Sequence, residues 1–361
     1  MTPPTLSDPL ATARTLCPLI DSEAAATESG GTLSPAVVDA FRESGMFWLL
    51  VPAVLGGTEA DAVTTLEVFE ELSRADASTG WTLLANTTTS GFAGAFCDEA
   101  AVKTMFGGSE MPVHGGMLGP RGRAVPAEGG FRVSGNYSFG SGTGHSDWVG
   151  AGTMVMGENG PLTGESGLPE MRVAFLPRDA VRFLGNWDVL GLVGTGSYDY
   201  AVDDVFVDEG FTFPLIGAEI RRGGPVYRLG VLGLTSIGHC GFALGVGRRA
   251  LEEVAKGAPG KVRMSGLAPV ADDPVFRHDF AFHEAALRSA RAYAFEIFGA
   301  AMEQAEAGRD PDLEVAQRLR QATTYATRVA VDVVRASYGW LGTDGIRPSV
   351  LQRCLRDIET A

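Results

Sequence analysis

Cysteine is scarce in this 361-residue chain. Its four copies, Cys17, Cys97, Cys240 and Cys354, are widely scattered with no C-x-x-C spacing, so neither a zinc site nor a disulfide framework is indicated. Histidine is nearly as rare, with five copies. His239, His278 and His283 fall in helical stretches with no second ligand at i+3 or i+4, and His283-Glu284 does not begin an H-E-x-x-H motif. No metal is expected. Positive charge is short as well: 29 Lys and Arg against 44 Asp and Glu leave a formal net charge of −15. That balance argues against nucleic acid or an anionic membrane surface as partner. The start of the chain carries no basic region followed by an apolar run, and no stretch is read as an uncharged apolar span of about 18 residues. A cytoplasmic protein is expected. No G-x-G-x-x-G fingerprint follows a strand, and no internal repeat, low-complexity tract or long linker is found. The remaining composition, 45% apolar and 20% charged, is ordinary for a globular chain long enough for two or three domains.

What is present is a β-rich centre. Phe131 to Trp148, Met171 to Pro177 and Trp187 to Val207 alternate apolar with small or polar residues, as strands with one buried face do. Before them, residues 1–112 read as helical. Ser34 with Pro35 and Gly45 frames one helix as N-cap, first helical position and terminator. Leu66, Phe69 and Leu72 mark the apolar face of another, and Asp76 opens a third, buried helix running to Phe96. After the strands, three long helical stretches near Val226–Lys256, Asp273–Ala307 and Leu313–Gly339 and a shorter one past Pro348 suggest an antiparallel bundle. The fold class is therefore α+β and multidomain: a helical domain over 1–112, a barrel-like β domain over 113–224 and a four-helix bundle over 225–361.

Hydroxyls crowd the glycines of the β domain. Ser138, Ser141, Thr143, Thr195 and Ser197 sit beside Gly140, Gly142, Gly144, Gly194 and Gly196. Glycine lets a backbone approach a flat ligand closely, and adjacent hydroxyls and amides can bond its polar edge. Tight turns between strands use the same residues, so both readings stand on composition alone.

The order Tyr137-Ser-Phe-Gly-Ser-Gly-Thr-Gly-His-Ser-Asp-Trp148, then Gly191-Leu-Val-Gly-Thr-Gly-Ser197, resembles the middle domain of the acyl-CoA dehydrogenase fold. It is most similar to the branch of two-component flavin monooxygenases that includes the oxygenase components of p-hydroxyphenylacetate hydroxylase and dibenzothiophene monooxygenase. Asp76-Ala-Ser-Thr-Gly-Trp81 and the final Pro348-Ser-Val-Leu-Gln-Arg-Cys-Leu-Arg-Asp357 extend the resemblance over nearly the whole chain. The resemblance implies an oxygenase that takes reduced flavin, FMN or FAD, from a separate reductase and uses O2 to oxidise a small aromatic or heteroatom-containing substrate. It implies a homotetramer built on the C-terminal bundle. An FAD-dependent acyl-CoA dehydrogenase and a non-catalytic relative are the alternatives. The dehydrogenase reading requires an acid and a hydroxyl in the Gly116–Arg123 segment, which has neither.

Site residues follow from the same resemblance. Ser141 matches a serine beside flavin N5, and His145 either faces the site or fixes its loop; both are candidate catalytic residues. Phe139 and Trp187 would stack on the flavin ring. Gly142, Thr195, Gly196 and Ser197 would contact it, and Arg263 would reach its phosphate. Trp81, Asn86 and Thr88 would line the substrate pocket from the buried third helix. Tyr137, Val193 and Tyr198 depart from the family's frequent tryptophan, arginine and histidine. In the family this segment leads to an acid/base residue, glutamate or histidine, a few residues past the Arg-Asp pair; the sequence ends at Ala361, short of that position, so either the chain continues or the protein lacks the group.

Overall fold

Before the first strand, each α-helix begins on a side chain that receives one or more of its otherwise unpaired amides. The computed structural model describes residues 6–108, 111–164, 167–263, 266 and 268–361. Asp8 accepts from the amide of Ala11 at the start of α1 (Pro9–Gly30), and Ser34 accepts from Val37 at the start of α2 (Pro35–Ser44). Gly45, at φ 83°, closes α2 in the left-handed conformation the sequence pattern requires. Asp61, Asp76 and Asp98 cap α3 (Ala62–Ala75), α4 (Ala77–Phe96) and α5 (Glu99–Phe106).

Eight strands then form one mixed sheet: β1 (His114–Ala127), β2 (Gly130–Gly140), β3 (Trp148–Gly157), β4 (Gly160–Pro161), β5 (Met171–Pro177), β6 (Arg182–Gly185), β7 (Tyr198–Asp208) and β8 (Thr212–Pro214). Their order is β6-β7-β2-β1-β3-β5-β8, with β4 paired to β3. β1 and β3 run parallel and the other pairs antiparallel. Among the described residues this path is open, ending at β6 and β8, so the middle domain expected to be barrel-like takes the form of an open mixed sheet. β1 is the strand the pattern does not mark: four glycines and two prolines dilute its alternation, and it bulges between Met117 and Gly122. Tyr200 spans that bulge, its hydroxyl donating to Gly150 O at 2.6 Å and accepting from Met117 N–H at 2.8 Å.

The C-terminal helices are α6 (Gly230–Gly257), α7 (Pro274–Glu306), α8 (Leu313–Leu341) and the short α9 (Val350–Thr360). α6 packs on α8 and also on α3, where Gly241 and Gly245 lie so close to Phe69 and to the Glu70 carbonyl that a methyl group would collide. The glycines along α6 thus serve helix contact within one chain. The same helix corrects one expectation: residues 229–247 carry no Asp, Glu, Lys or Arg, and the helix is long and apolar enough to cross a membrane by length and composition. It is instead mostly buried inside the protein. Residues 264, 265 and 267 of the loop between α6 and α7 lie outside the described residues. All four cysteines are buried and unpaired, with burial raising Cys17 to about 11 and Cys240 and Cys354 to about 12.

Candidate active site

The two glycine-hydroxyl turns meet. β2 ends at Gly140, which pairs with Tyr198 at the start of β7, so the loop after β2 lies against the turn before β7. The amide of Gly142 donates to Thr195 O at 3.2 Å. Four side chains then line up. Trp81 Nε1–H on α4 donates to Ser141 Oγ at 3.1 Å, Ser141 Oγ lies 2.8 Å from Ser197 Oγ, and Ser197 Oγ lies 2.7 Å from Thr195 Oγ1. Thr195 Oγ1–H donates to Leu192 O at 2.8 Å.

A hydroxyl has one proton, so the last bond fixes the direction of the others. Thr195 spends its proton on Leu192, Ser197 spends its own on Thr195, and Ser141 spends its own on Ser197. Ser141 accepts from Trp81 and keeps one lone pair. Toward a ligand it is therefore an acceptor. All three hydroxyl residues are buried, where such a satisfied chain is rigid.

The loop around Ser141 is locked from α4. Asn86 is fully buried; its Nδ2 donates to His114 O at 2.8 Å, and to Ser146 Oγ and Gly142 O at 3.3 and 3.4 Å. Its Oδ1 therefore accepts from His145 Nε2–H at 2.9 Å. This places a proton on Nε2, with Nδ1 buried and unpaired. Burial, then Arg42 and Arg178, push its pKa down to about 3. Arg42 donates to His145 O at 3.3 Å, and Arg178 donates to Thr143 O and to Ser146 O. These bonds tie His145 and its loop to α4 and α2.

Beside the turn lies an exposed aromatic pair. Phe139 is 58% exposed at φ 65°, a left-handed conformation rare for a bulky residue. Its ring meets Trp187 edge to face at 6.3 Å, and Trp187 Nε1–H donates to Val193 O at 3.0 Å. On the inner side the Trp81 ring packs edge to face against His239 and Phe242 of α6, at 5.1 and 5.0 Å.

Comparison with known proteins gives the family. The acyl-CoA dehydrogenase N-terminal domain family matches residues 12–101 and the acyl-CoA dehydrogenase C-terminal domain family matches residues 237–361. Indole-3-acetate monooxygenase of Pseudomonas putida is 35% identical over 328 residues, covering 91% of this chain and 82% of that protein. The chain belongs to the flavin-dependent monooxygenases of the acyl-CoA dehydrogenase family. The oxygenase subunit HsaA of a flavin-dependent monooxygenase from Mycobacterium tuberculosis is 31% identical over 204 residues, covering 55% of this chain and 48% of that protein. Solved structures share the fold across 98% of this chain. They are 3-HSA hydroxylase from Rhodococcus sp. RHA1 (TM-score 0.89, 23% identity, 91% of that chain), XiaF from Streptomyces sp. in complex with FADH2 and glycerol (0.88, 21%, 90%) and TdsC from Paenibacillus sp. A11-2 with FMN and indole (0.77, 21%, 92%).

The residues of this monooxygenase fit a flavin. The turn residues Gly196 and Ser197 are buried beside Ser141, whose Oγ accepts from Trp81, donates along the hydroxyl chain and keeps one lone pair. With the exposed Phe139 ring and the half-buried Trp187 beside them, they offer an acceptor and an apolar ring face. Of the residues expected at the site, Ser141, Gly142, Thr195, Gly196, Ser197, Trp81, Asn86 and His145 form one connected cluster, and Phe139 and Trp187 flank it. Thr88 is buried on α4 with its hydroxyl unpaired. Arg263 is exposed on the loop after α6, its guanidinium 4.3 Å from the centre of the Trp340 ring. Three residues beside this cluster had no site role in the sequence: His239, which has no metal-ligand spacing; Arg178, which lies outside both motifs; and Asp357, whose Arg-Asp motif matches the family with no stated contact.

Proposed function

We propose that this monooxygenase is the oxygenase component of a two-component system. It takes reduced FMN or FAD from a separate flavin reductase and uses O2 to hydroxylate a small aromatic substrate. The observation that carries this reading is the direction of the hydroxyl chain. Ser141 presents a lone pair and no proton, and a flavin gains an N–H at N5 when it is reduced. Reduced flavin, when bound, supplies the electron pair that activates O2. The chain's own part is to hold the ring on Phe139 and Trp187, bond its edge through Gly196, Ser197 and Ser141, and keep water out.

A bicyclic aromatic acid is the first substrate to test. The 35% identical relative is named for indole-3-acetate, and the Trp81–His239–Phe242 group with the unpaired Thr88 hydroxyl offers aromatic walls and a polar contact. Trp81 and Thr88 are seven residues apart, on one face of α4. The assembly proposed is a homotetramer through the C-terminal bundle. In support, α7 exposes Val275 and Phe282, and a cleft of about 560 Å³ lined by Glu70, Arg248, Leu251, Phe280, Leu287 and Arg291 opens beside it. A monomer mass by light scattering would contradict it. A domain division at residues 112/113 and 224/225 and a cytoplasmic location are proposed on the helix-to-strand changes and on four free thiols; protease cleavage near those joints and cell fractionation check them.

The test of function is an anaerobic titration with reduced and oxidised FMN and FAD, followed by oxygen and indole-3-acetate. Tighter binding of the reduced form and stoichiometric hydroxylated product support the reading. Full turnover on NADH alone, with no reductase, overturns it.

A further inference from the structure

The last helix reaches both ends of the hydroxyl chain. At one end, Asp357 on α9 is buried, and its Oδ1 accepts from Leu192 N–H at 2.6 Å. Leu192 is the residue whose carbonyl terminates the chain by accepting from Thr195. It sits at φ 54°, in the left-handed region, where a branched side chain stays only if its surroundings hold it. Its amide is held by Asp357 and its carbonyl by Thr195. Next to it, Gly191 packs so closely on the Arg356 carbonyl that a methyl group would overlap it, and Arg356 NH1 donates to Leu190 O at 3.3 Å. At the other end, Arg353 Nε lies 3.5 Å from Asp76 Oδ1, and Asp76 caps α4, the helix that carries Trp81.

We propose that Asp357 is a positioning residue for the flavin site: by holding the Leu192 amide, it keeps the Leu190–Ser197 turn in the conformation that directs the hydroxyl chain to Ser141. The site reading above assigns the flavin, and this inference rests on it. Among the described residues, Leu192 N–H is the hydrogen-bond partner of the Asp357 side chain. Its second oxygen, Oδ2, is buried without a partner. The charged groups around it are Asp76 at the α4 cap, Glu28 of α1, and Arg353 and Arg356 of α9, with Arg356 paired to Glu28 at 2.5 Å. The carboxyl is raised to about 7 by burial and by Asp76. The Leu192 bond needs an acceptor oxygen but no charge, so an amide in the same place preserves it.

The experiment uses the 361-residue chain with three substitutions: Asp357→Ser, Asp357→Asn, and Asp357→Ser combined with Leu192→Gly. Hydrogen exchange is followed first without flavin. Exchange across residues 190–198 is expected to rise at least tenfold in Asp357→Ser, with α3 and α8 unchanged, and to stay within about threefold of the parent in Asp357→Asn. Glycine takes a left-handed φ without strain, so Leu192→Gly in the double variant is expected to recover part of the lost protection. Reduced FMN binding, measured next, follows the same order. Unchanged exchange in Asp357→Ser, a uniform rise over the whole chain, or no recovery in the double variant overturns the proposal. If Asp357→Ser does not fold, a folded double variant supports it, and failure of both while Asp357→Asn folds overturns it. Should the parent protein bind no reduced flavin, the functional reading falls, and the flavin-free exchange still decides whether Asp357 anchors the turn.

Discussion

Replacing Ser141 with alanine removes the one hydroxyl shared by the protein's internal chain and its ligand face. Two losses follow inside the protein. Trp81 Nε1–H loses its acceptor, and Ser197 Oγ loses a donor while keeping its own bond to Thr195. A net neutral hydrogen bond is worth about 0.5–1.5 kcal/mol, and a stranded buried donor costs about 1–3 kcal/mol. Trp81 is only half-buried, so the lower end applies and the sum is about 1–2 kcal/mol. In a chain of this size that lowers Tm by a few degrees. The ligand face loses one acceptor, about 1 kcal/mol, which is roughly a fivefold rise in Kd for reduced flavin. Oxidised flavin has no proton at N5, and its Kd should move by less than about twofold. Fluorescence titration with both redox forms, together with a thermal melt, reads all three quantities. Equal weakening of both forms, or of neither, would refute the assigned direction of the chain.

Three further outcomes are expected. Asn86→Leu strands the His145 N–H and the His114 carbonyl together; denaturant unfolding should show a loss of about 2–4 kcal/mol, and an Asn86→Ser variant that loses less than 1 kcal/mol would contradict the loop-locking role. Gly191→Ala forces a methyl group onto the Arg356 carbonyl; it should displace α9, lower Tm and weaken reduced-flavin binding by tenfold or more, and near-parental binding would count against the α9 contact. For pH, burial holds His114 and His145 near 3 against an ordinary 6.5. Between those values the unfolded chain binds protons that the folded chain refuses, so stability falls as pH falls below about 6.5, by about 1.4 kcal/mol per unit for each histidine. Asp357, raised from 3.8 to about 7, works in the opposite sense, since it is the folded chain that gains a proton as pH falls from about 7. Asp357→Asn removes that offset, and its acid loss between pH 6.5 and 5 should exceed the parent's by about 2 kcal/mol in urea unfolding; parallel curves would show that Asp357 is ionised throughout.

Local chemistry alone determined much of this protein. The cap Ser34, the helix start at Asp76, the terminator Gly45 and the alternation in β2, β5 and β7 each depend on residues a few positions apart, and those elements form where the pattern puts them. The two glycine-hydroxyl turns were legible for the same reason, and so was the family. β1 was not, because glycine and proline erase the period of two.

Tertiary structure decided which polar atoms are spent and which stay free. Asn86 is polar on a buried helix, a pattern that suits substrate as well as protein; only the approach of the Gly142–Ser146 loop shows that its amide is committed to that loop. Ser141 and Ser197 are 56 positions apart, and the direction of their bond comes from Leu192, a residue with no functional side chain. Asp357 and Leu192 are 165 positions apart. Their contact depends on α9 docking beside the turn, and nothing in the local sequence of either encodes it. A buried hydrogen bond satisfies whichever donor the packing brings to it, so its partner is a property of the assembled fold.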